Sequence, residues 1–370
     1  MVNRRRLLDS FSSLVSIDSV SLQERQMADY LKNALTDLGL TVQEDDSWKT
    51  FGGTAGNVYG FLPGALDLPA LLFSAHMDTV TPGLGKKAIF QEDGRITSDG
   101  ATILGADDAS GIAAILEAIR VIKENGLPHR PIEVLFTASE EVHCHGTAAF
   151  DPSILQSKET YVLDLGGHIG TAACSAPAIC SFTATVKGRA AHAGVAPEQG
   201  IHAIRAAAAA ISQMPLGRVD EMTINVGAIT GGEATNIVPH TCVVEGEIRG
   251  FHQDTVLAKL AEIRACFQDA ATDIGATVEW EQNASFNAYA MEETHPAVTR
   301  FCAACESLNL PISLIPTYGG SDLNNLYSLG LRGLVISTGM ENAHNVTEYI
   351  HADDLERAAN LTLALMTSLD

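Results

Sequence analysis

The stretch IEVLFTASEE, residues 132–141, is a mostly apolar run that ends in two adjacent glutamates. A short run without strict alternation predicts a strand that is buried on both faces, as in a parallel sheet. ALLFSAHMD at 70–78 and YVLDL at 161–165 have the same character, and a helix is predicted from Ala109 to Glu124. Strands that alternate with helices predict an α/β domain with a mostly parallel sheet and helices on both faces.

The sequence pattern changes after residue 176 and returns to the first type after residue 287. The intervening segments are predicted to form strand, helix, strand, strand, helix and strand, beginning with the alternating stretch ICSFTATVKG at 179–188. That order is typical of a small α+β module. We therefore predict a catalytic domain formed by residues 1–176 and 288–370, interrupted by an inserted domain at 177–287.

Side chains that can hold a cation follow each of the three strands of the first domain. Ligands of open α/β sheets bind outside the carboxyl ends of the strands, so we expect these side chains to meet at one edge. Two further candidates lie just before the predicted helix and in a loop near the C-terminus. The full set is His76, Asp78, Glu140, Glu141, Asp164, Asp107 and His344.

Carboxylates crowded in this way would repel one another and raise each other's pKa, unless a divalent cation were present. Mixed carboxylate and imidazole ligands suit zinc, with manganese or cobalt as alternatives, and the set is large enough for two ions. Each residue alone has an ordinary interpretation. Asp108 is a possible helix cap, a single loop histidine is usually a surface residue, and a Glu-Glu pair is usually solvated.

The formal net charge of −22 argues against nucleic acid or an anionic membrane as a partner, because phosphate groups would be repelled. No apolar run is long enough to cross a bilayer. The seven cysteines show no paired CxxC blocks, which favours a reducing, cytoplasmic location.

Several motifs occur in the order found in M20 metallopeptidases, and the chain resembles that family over essentially its whole length. They are AHMDTV, ILGADDASGIA, TASEEV, the strand end at Asp164, GRAAHAG, GGEATNIVP and GGSDLN followed by GMENAHNVTEYI. The combination is most similar to the peptidase T-like, tripeptidase branch. The resemblance implies two divalent metal ions and a short peptide substrate.

Carried over position by position, the resemblance implies a role for each candidate site residue of the first domain. His76 and Asp164 would bind one ion, Glu141 and His344 the other, and Asp107 would bridge both. Asp78 would fix the tautomer of His76. Glu140 would be the general base that takes a proton from a water between the two ions.

The resemblance also assigns the inserted domain as a lid that covers the substrate and serves as a homodimer surface. His192 in RAAHAG would help to hold the oxyanion of the tetrahedral intermediate. Asn236 in ATNIVP and Arg249 in GEIRG would bind substrate, Arg249 through a free carboxylate. Without the family, Arg249 would be interpreted as an arginine on a strand surface.

Some positions depart from the family pattern. A glycine and an aliphatic residue commonly follow the EEV motif, where this chain has His143, Cys144 and His145. These histidines either support the site through hydrogen bonds, vary without consequence, or touch substrate or the metal. His202 replaces a small polar residue, and Ala109 stands where a lysine is common.

The leading functional hypothesis is a metallo-aminopeptidase that releases the N-terminal residue of short peptides, such as tripeptides. The alternatives within the family are a deacetylase of N-acyl amino acids, a dipeptidase and a carboxypeptidase. A non-catalytic binding protein is disfavoured because no candidate ligand is lost. A phosphate-handling enzyme is disfavoured because the sequence offers no obvious basic phosphate cradle.

Overall fold

The computed structural model describes residues 1–369, which divide into two compact units. Unit 1 comprises Met1–Ser175, Ala290–Thr317 and the chain from Ser321 onward. Unit 2 comprises Ala176–Tyr289 together with Tyr318–Gly320. Every residue that the sequence marks as a candidate metal ligand lies in unit 1.

The helices and strands of unit 1 follow the predicted alternation, with additional short strands. The helices are α1 (Arg4–Val15), α2 (Arg25–Asp37), α3 (Trp48–Phe51), α4 (Ala106–Asn125), α5 (His145–Ala148), α8 (Pro296–Ser307), α9 (Asp322–Ser328) and α10 (Ala352–Met366). The strands are β1 (Thr41–Glu44), β2 (Val58–Leu62), β3 (Leu71–His76), β4 (Ile89–Phe90), β5 (Arg95–Thr97), β6 (Ile132–Thr137), β7 (Glu159–Leu165), β8 (Thr171–Ala176), β14 (Tyr289–Ala290), β15 (Ser313–Pro316), β16 (Arg332–Ser337), β17 (Met340–Glu341) and β18 (Tyr349–His351).

The central sheet of unit 1 has the strand order β1-β2-β6-β3-β7-β16-β8-β14, with β15 beside β8. β6, β3, β7 and β16 run parallel, whereas β1, β2 and β8 pair antiparallel with their neighbours toward the two edges. Every residue of β3 and β6 is buried, as the unalternating sequences of these strands predict. A second, small sheet has the order β17-β18-β5-β4.

Helix α4 packs against β3 and β7 and is itself covered by α1 and α10. Its residues Asp107 and Asp108 have non-helical backbone angles, so the regular helix begins at Ala109, as the sequence predicts. Asp108 accepts a hydrogen bond from the amide of Gly111 at 2.9 Å, which is the contact of an N-cap residue. The helix therefore starts at the edge of the sheet where the strand ends lie.

Unit 2 is an antiparallel sheet with the order β10-β11-β12-β9-β13, against which two helices pack. Its elements are β9 (Ala178–Lys187), α6 (Ala203–Gln213), β10 (Gly217–Val219), β11 (Met222–Gly231), β12 (Thr241–Gly250), α7 (Gln253–Thr272) and β13 (Thr277–Phe286). Phe182 lies in the core, with its ring centroid 5.1 Å from that of Trp280 and 6.3 Å from that of Phe267. The short strand β10 was not predicted.

The spacing SLQE at 21–24 is that of a capping box, but the structure uses it differently. Helix α2 begins at Arg25 with Glu24 as its N-cap residue, and the Glu24 side chain makes no capping bond. Its carboxylate instead accepts hydrogen bonds from the amide of Leu22 at 2.8 Å and from Ser139. The glutamate of the SLQE stretch therefore joins this part of the chain to Ser139, 115 residues away, instead of capping the helix.

Candidate metal centre

Three parallel neighbours in the central sheet bring the predicted ligands to one edge. β3 lies between β6 and β7, and His76 pairs in register with Thr137 at the end of β6. Glu140 and Glu141 follow Thr137 within four residues, and Asp164 lies near the end of β7. The carboxyl ends of all three strands therefore deliver imidazole or carboxylate groups to the same place.

Asp107 lies between two imidazoles. Its Oδ1 is 2.9 Å from Nε2 of His76, and its Oδ2 is 3.2 Å from Nε2 of His344. His344 Nε2 is also 2.8 Å from Oε2 of Glu141, and His76 Nε2 is 3.7 Å from Oδ1 of Asp164. The structure thus brings together all five residues proposed as metal ligands, with Asp107 in the middle.

The donor set fits a pair of divalent cations. Two ligand atoms that share one tetrahedral zinc ion, each about 2.0–2.2 Å from it, lie roughly 3.4 Å apart, close to the separations seen here. His76, Asp107 and Glu141 form one group whose ligand atoms all lie within 4.8 Å of one another, and His76, Glu140 and Asp164 form another. Oε1 of Glu141 is buried without a hydrogen-bond partner among the described residues, as expected of an oxygen that would bind a cation.

The pKa values of the metal-free cluster show how strongly these groups interact. Hydrogen bonds to Asp107 and then to Glu141 raise the pKa of His344 to about 11. Burial, followed by the negative charge of Asp107, raises the pKa of Asp164 to about 7. Burial would also raise the pKa of Asp107, but hydrogen bonds from His344 and His76 outweigh it and lower that pKa. In the absence of metal, bound protons therefore offset the repulsion between the carboxylates, and a bound cation would offset it in their place.

The Asp78 side chain lies beside His76, as the resemblance implies, and also contacts the segment that carries the two glutamates. Nδ1 of His76 lies 2.9 Å from the backbone carbonyl oxygen of Asp78 but 3.6 Å from its carboxylate. The carboxylate accepts the amide hydrogens of Glu140 at 2.8 Å and Glu141 at 3.2 Å, and the hydroxyl of Ser21 at 2.7 Å. Both the backbone carbonyl and the carboxylate of Asp78 therefore face the imidazole, and the carboxylate also holds the two glutamates.

Other buried polar side chains, which sequence reasoning did not assign, anchor the rest of the segment that carries the two glutamates. Glu24 accepts hydrogen bonds from the amide and hydroxyl of Ser139 at 3.1 and 2.7 Å. Asn57 accepts from the amide of Ala138 at 3.1 Å. Asp322 accepts from the hydroxyls of Thr137 and Thr147. Only the SLQE spacing and the GGSD motif single out two of these positions in the sequence.

Glu140 is half-buried beside the ligands. Burial, followed by the negative charge of Asp164, raises the pKa of its carboxyl well above the ordinary value. Its carboxylate Oε1 lies 3.3 Å from the sulfur of Cys144. A carboxylate with an elevated pKa next to a metal site is suited to accept and return a proton near neutral pH.

The residues of unit 2 that were predicted to bind substrate are His192, Asn236 and Arg249. His192 and Ile237 form an antiparallel bridge, and the amide of Ala193 donates to the carbonyl of Asn236 at 2.9 Å. The two loops that carry His192 and Asn236 are therefore adjacent. The Arg249 guanidinium makes two hydrogen bonds to Glu247, at 2.7 and 3.1 Å, and one to the carbonyl of Tyr318 at 3.0 Å.

The positions that depart from the family pattern are also placed by the structure. The ring of His145 stacks on Phe51 with a centroid distance of 5.6 Å, and the ring of His143 lies 6.5 Å from that of His145. His202 is the N-cap residue of α6 and accepts from the amide of Arg205 at 3.3 Å. Ala109 is buried at the start of the regular part of α4.

The structure combines a mixed α/β domain with two groups of candidate imidazole and carboxylate ligands at the strand ends, and both groups contain His76. This combination is typical of metal-dependent hydrolases. The family model described as peptidase family M20/M25/M40 matches residues 72–368, and the chain belongs to this family. It is a hydrolase of the M20 peptidase family with metallopeptidase character.

Individual relatives cover nearly the whole chain. The crystal structure of aminopeptidase PepT from Bacillus cereus is 37% identical, with a TM-score of 0.94 over 99% of this chain and 98% of that one. A tripeptidase structure from Staphylococcus aureus is 33% identical, with a TM-score of 0.96 over the same shares. Peptidase T of Aliivibrio fischeri is 28% identical over 97% of each chain. The fold and the family therefore agree along the full length.

Proposed function

We propose that this protein is a dinuclear metallo-aminopeptidase that releases the N-terminal residue of tripeptides and similar short peptides. The observation that carries the proposal is the position of Asp107, whose two oxygens face His76 and His344, with the Glu140 carboxylate beside the same cluster. The similarity to an aminopeptidase structure and a tripeptidase structure supports this choice of substrate.

The two cations would be held by His76 and Asp164 on one side and by Glu141 and His344 on the other, with Asp107 shared. When bound, they supply a water of lowered pKa at neutral pH. Zinc suits the imidazole and carboxylate ligands best, with manganese and cobalt as alternatives.

Glu140 is the proton carrier of the proposed reaction. Its carboxylate takes a proton from the water that attacks the scissile carbonyl, and the resulting carboxylic acid gives that proton to the departing amine. The raised pKa of Glu140 favours the proton-holding state between these two events. The contacts of Asp78 with the amides of Glu140 and Glu141 keep the base and the neighbouring ligand in a fixed relation.

Residues of unit 2 are proposed to bind the rest of the substrate. His192 would donate a hydrogen bond to the developing oxyanion, and Asn236, on the adjacent loop, would contact the peptide. Arg249 would bind the C-terminal carboxylate. Its guanidinium already makes three hydrogen bonds, two to Glu247 and one to Tyr318, which leaves two N–H groups for a substrate carboxylate.

We also propose that the protein is a cytoplasmic homodimer that pairs through unit 2. β10 pairs only with residues Met222–Ile224 of β11, and every residue from Gly227 to Gly231 is exposed, including Ile229 at 51%. An unpaired strand edge of this kind favours pairing with a second copy. Seven free cysteines support a reducing compartment. No helix within residues 1–369 has the length and apolar character needed to cross a membrane.

The test is a substrate panel assayed after reconstitution with zinc, manganese or cobalt. Tri-, di- and tetrapeptides with free N-termini are compared with their N-acetylated forms, and with peptides amidated at the C-terminus. We expect the free tripeptides to be cleaved fastest, with release of the first residue. Preference for an acetylated substrate would instead indicate another M20 amidohydrolase, such as a deacetylase. Full activity after exhaustive chelation would refute the metal-dependent reaction.

A further inference from the structure

The Cys144 side chain is buried, with no exposed surface, in the turn that follows the two glutamates. Its sulfur lies 3.3 Å from Oε1 of Glu140. No other group among residues 1–369 donates a hydrogen bond to the Glu140 carboxylate. The departure from the family pattern at position 144 therefore contacts the proposed general base directly.

The backbone leaves the Cys144 side chain little freedom. Cys144 has a φ of 51° and a ψ of 44°, a left-handed conformation that is uncommon for residues other than glycine. Its amide donates to the carbonyl oxygen of Glu140 at 2.7 Å, and its own carbonyl accepts from Thr147 and Asn325, each at 3.2 Å. These contacts direct the sulfur toward Glu140.

The chemistry of the contact requires the sulfur to keep its proton. Burial, followed by the negative charge of Glu140, raises the pKa of the Cys144 thiol well above its ordinary value. A protonated thiol is a weak donor and a carboxylate is a strong acceptor, so the S–H group donates to Oε1. A thiolate would instead repel the carboxylate at this distance.

We propose that Cys144 is a positioning residue for the general base, a role that rests on the function proposed above for Glu140. The thiol occupies one oxygen of the Glu140 carboxylate and fixes the rotation of the group. The other oxygen, Oε2, is then the one that takes the proton from the attacking water and returns it to the leaving amine.

The kinetic test compares Cys144→Ala, which removes the donor, with Cys144→Ser, which keeps one. We expect kcat for a tripeptide to fall about tenfold in the alanine variant, since a hydrogen bond to a charged group is lost, with KM and metal content unchanged. The serine variant should recover most of kcat. Cys180→Ala, at a buried cysteine of β9, is the matched control and should keep full activity.

A second measurement does not depend on catalysis. The infrared S–H stretching band of Cys144 is assigned by its loss in Cys144→Ala, and its frequency is compared between the wild-type protein and Glu140→Gln, both loaded with zinc, because nearby cations favour the ionised form of Glu140. We expect the band to shift to higher frequency in the glutamine variant, because a neutral amide oxygen is a weaker acceptor than a carboxylate.

The outcomes separate the contact from the proposed function. An unchanged band in Glu140→Gln overturns the proposal, whether or not the protein cleaves peptides. A shifted band in a protein without peptidase activity keeps the contact and refutes the proposed function. If Cys144→Ala keeps kcat and only loses thermal stability, the residue serves packing and the proposal fails. If the alanine variant does not fold, the serine variant and the infrared comparison decide, the band then being assigned by its loss in Cys144→Ser.

Discussion

Replacing Asp78 by alanine tests whether its carboxylate acts mainly on the two glutamates or on His76. The change removes a fully buried carboxylate and leaves the amides of Glu140 and Glu141 and the hydroxyl of Ser21 without their acceptor. A buried donor left unpaired costs about 1–3 kcal/mol; since these three donors are only partly buried, we expect each to cost about 1 kcal/mol and the free energy of unfolding to fall by about 3 kcal/mol in total. The backbone carbonyl that contacts His76 is retained in the variant.

The expected functional damage therefore falls on the glutamates. A displacement of the base by about 1 Å lowers kcat by about 10²-fold. In metal-soaked crystals of Asp78→Ala, the ion bound by Glu141 and His344 should lose occupancy while the ion bound by His76 and Asp164 is retained. The assays are tripeptide kinetics, urea unfolding and anomalous diffraction, with the exposed Asp37→Ala as the control. Selective loss of the ion at His76 would refute this reasoning.

Three further predictions follow from single contacts. Glu140→Gln should lower kcat by about 10²–10⁴-fold and retain both metals, whereas Glu141→Gln should lose metal. Elemental analysis measures the metal content. Loss of metal in Glu140→Gln would contradict the assignment of Glu140 as base and Glu141 as ligand. Because the pKa of His344 is about 11 without metal, metal binding should release a proton, and the metal affinity should rise about tenfold per pH unit near neutrality. Calorimetry in buffers of different ionisation enthalpy measures the proton release. A metal affinity that does not depend on pH would contradict this prediction. Phe182→Ala should destabilise unit 2 by about 3–5 kcal/mol in chemical unfolding, because it empties a buried ring site beside Trp280, and a change below 1 kcal/mol would contradict that packing.

The sequence was sufficient for the parts of the fold whose signals are periodic and local. The unalternating strands at Leu71–His76 and Ile132–Thr137 are parallel neighbours in the structure, because their continuous apolar character reflects burial on both faces. The helix predicted from Ala109 is the regular part of α4. Strand ends could be named as candidate ligand positions because parallel strands end at one edge.

The anchors of the glutamate segment could not be predicted, since each contact joins distant positions. Glu24 contacts Ser139 across 115 residues, and Asp322 contacts Thr137 across 185. The local sequence assigns Glu24 to a capping box, because its spacing from Ser21 matches that motif. The same spacing gives no sign that the Glu24 side chain instead contacts a distant residue. The contacts of Asp78 with the amides of Glu140 and Glu141 likewise join positions more than 60 residues apart, which no periodicity reveals.

The arrangement of two cations around Asp107 is tested most directly by anomalous diffraction at the zinc edge from crystals of the zinc-loaded protein. The account predicts two peaks about 3.5–4 Å apart. One peak should contact His76 and Asp164, the other Glu141 and His344, and both should contact Asp107. A protein that cleaves peptides but shows a single peak, or peaks away from these side chains, would contradict it.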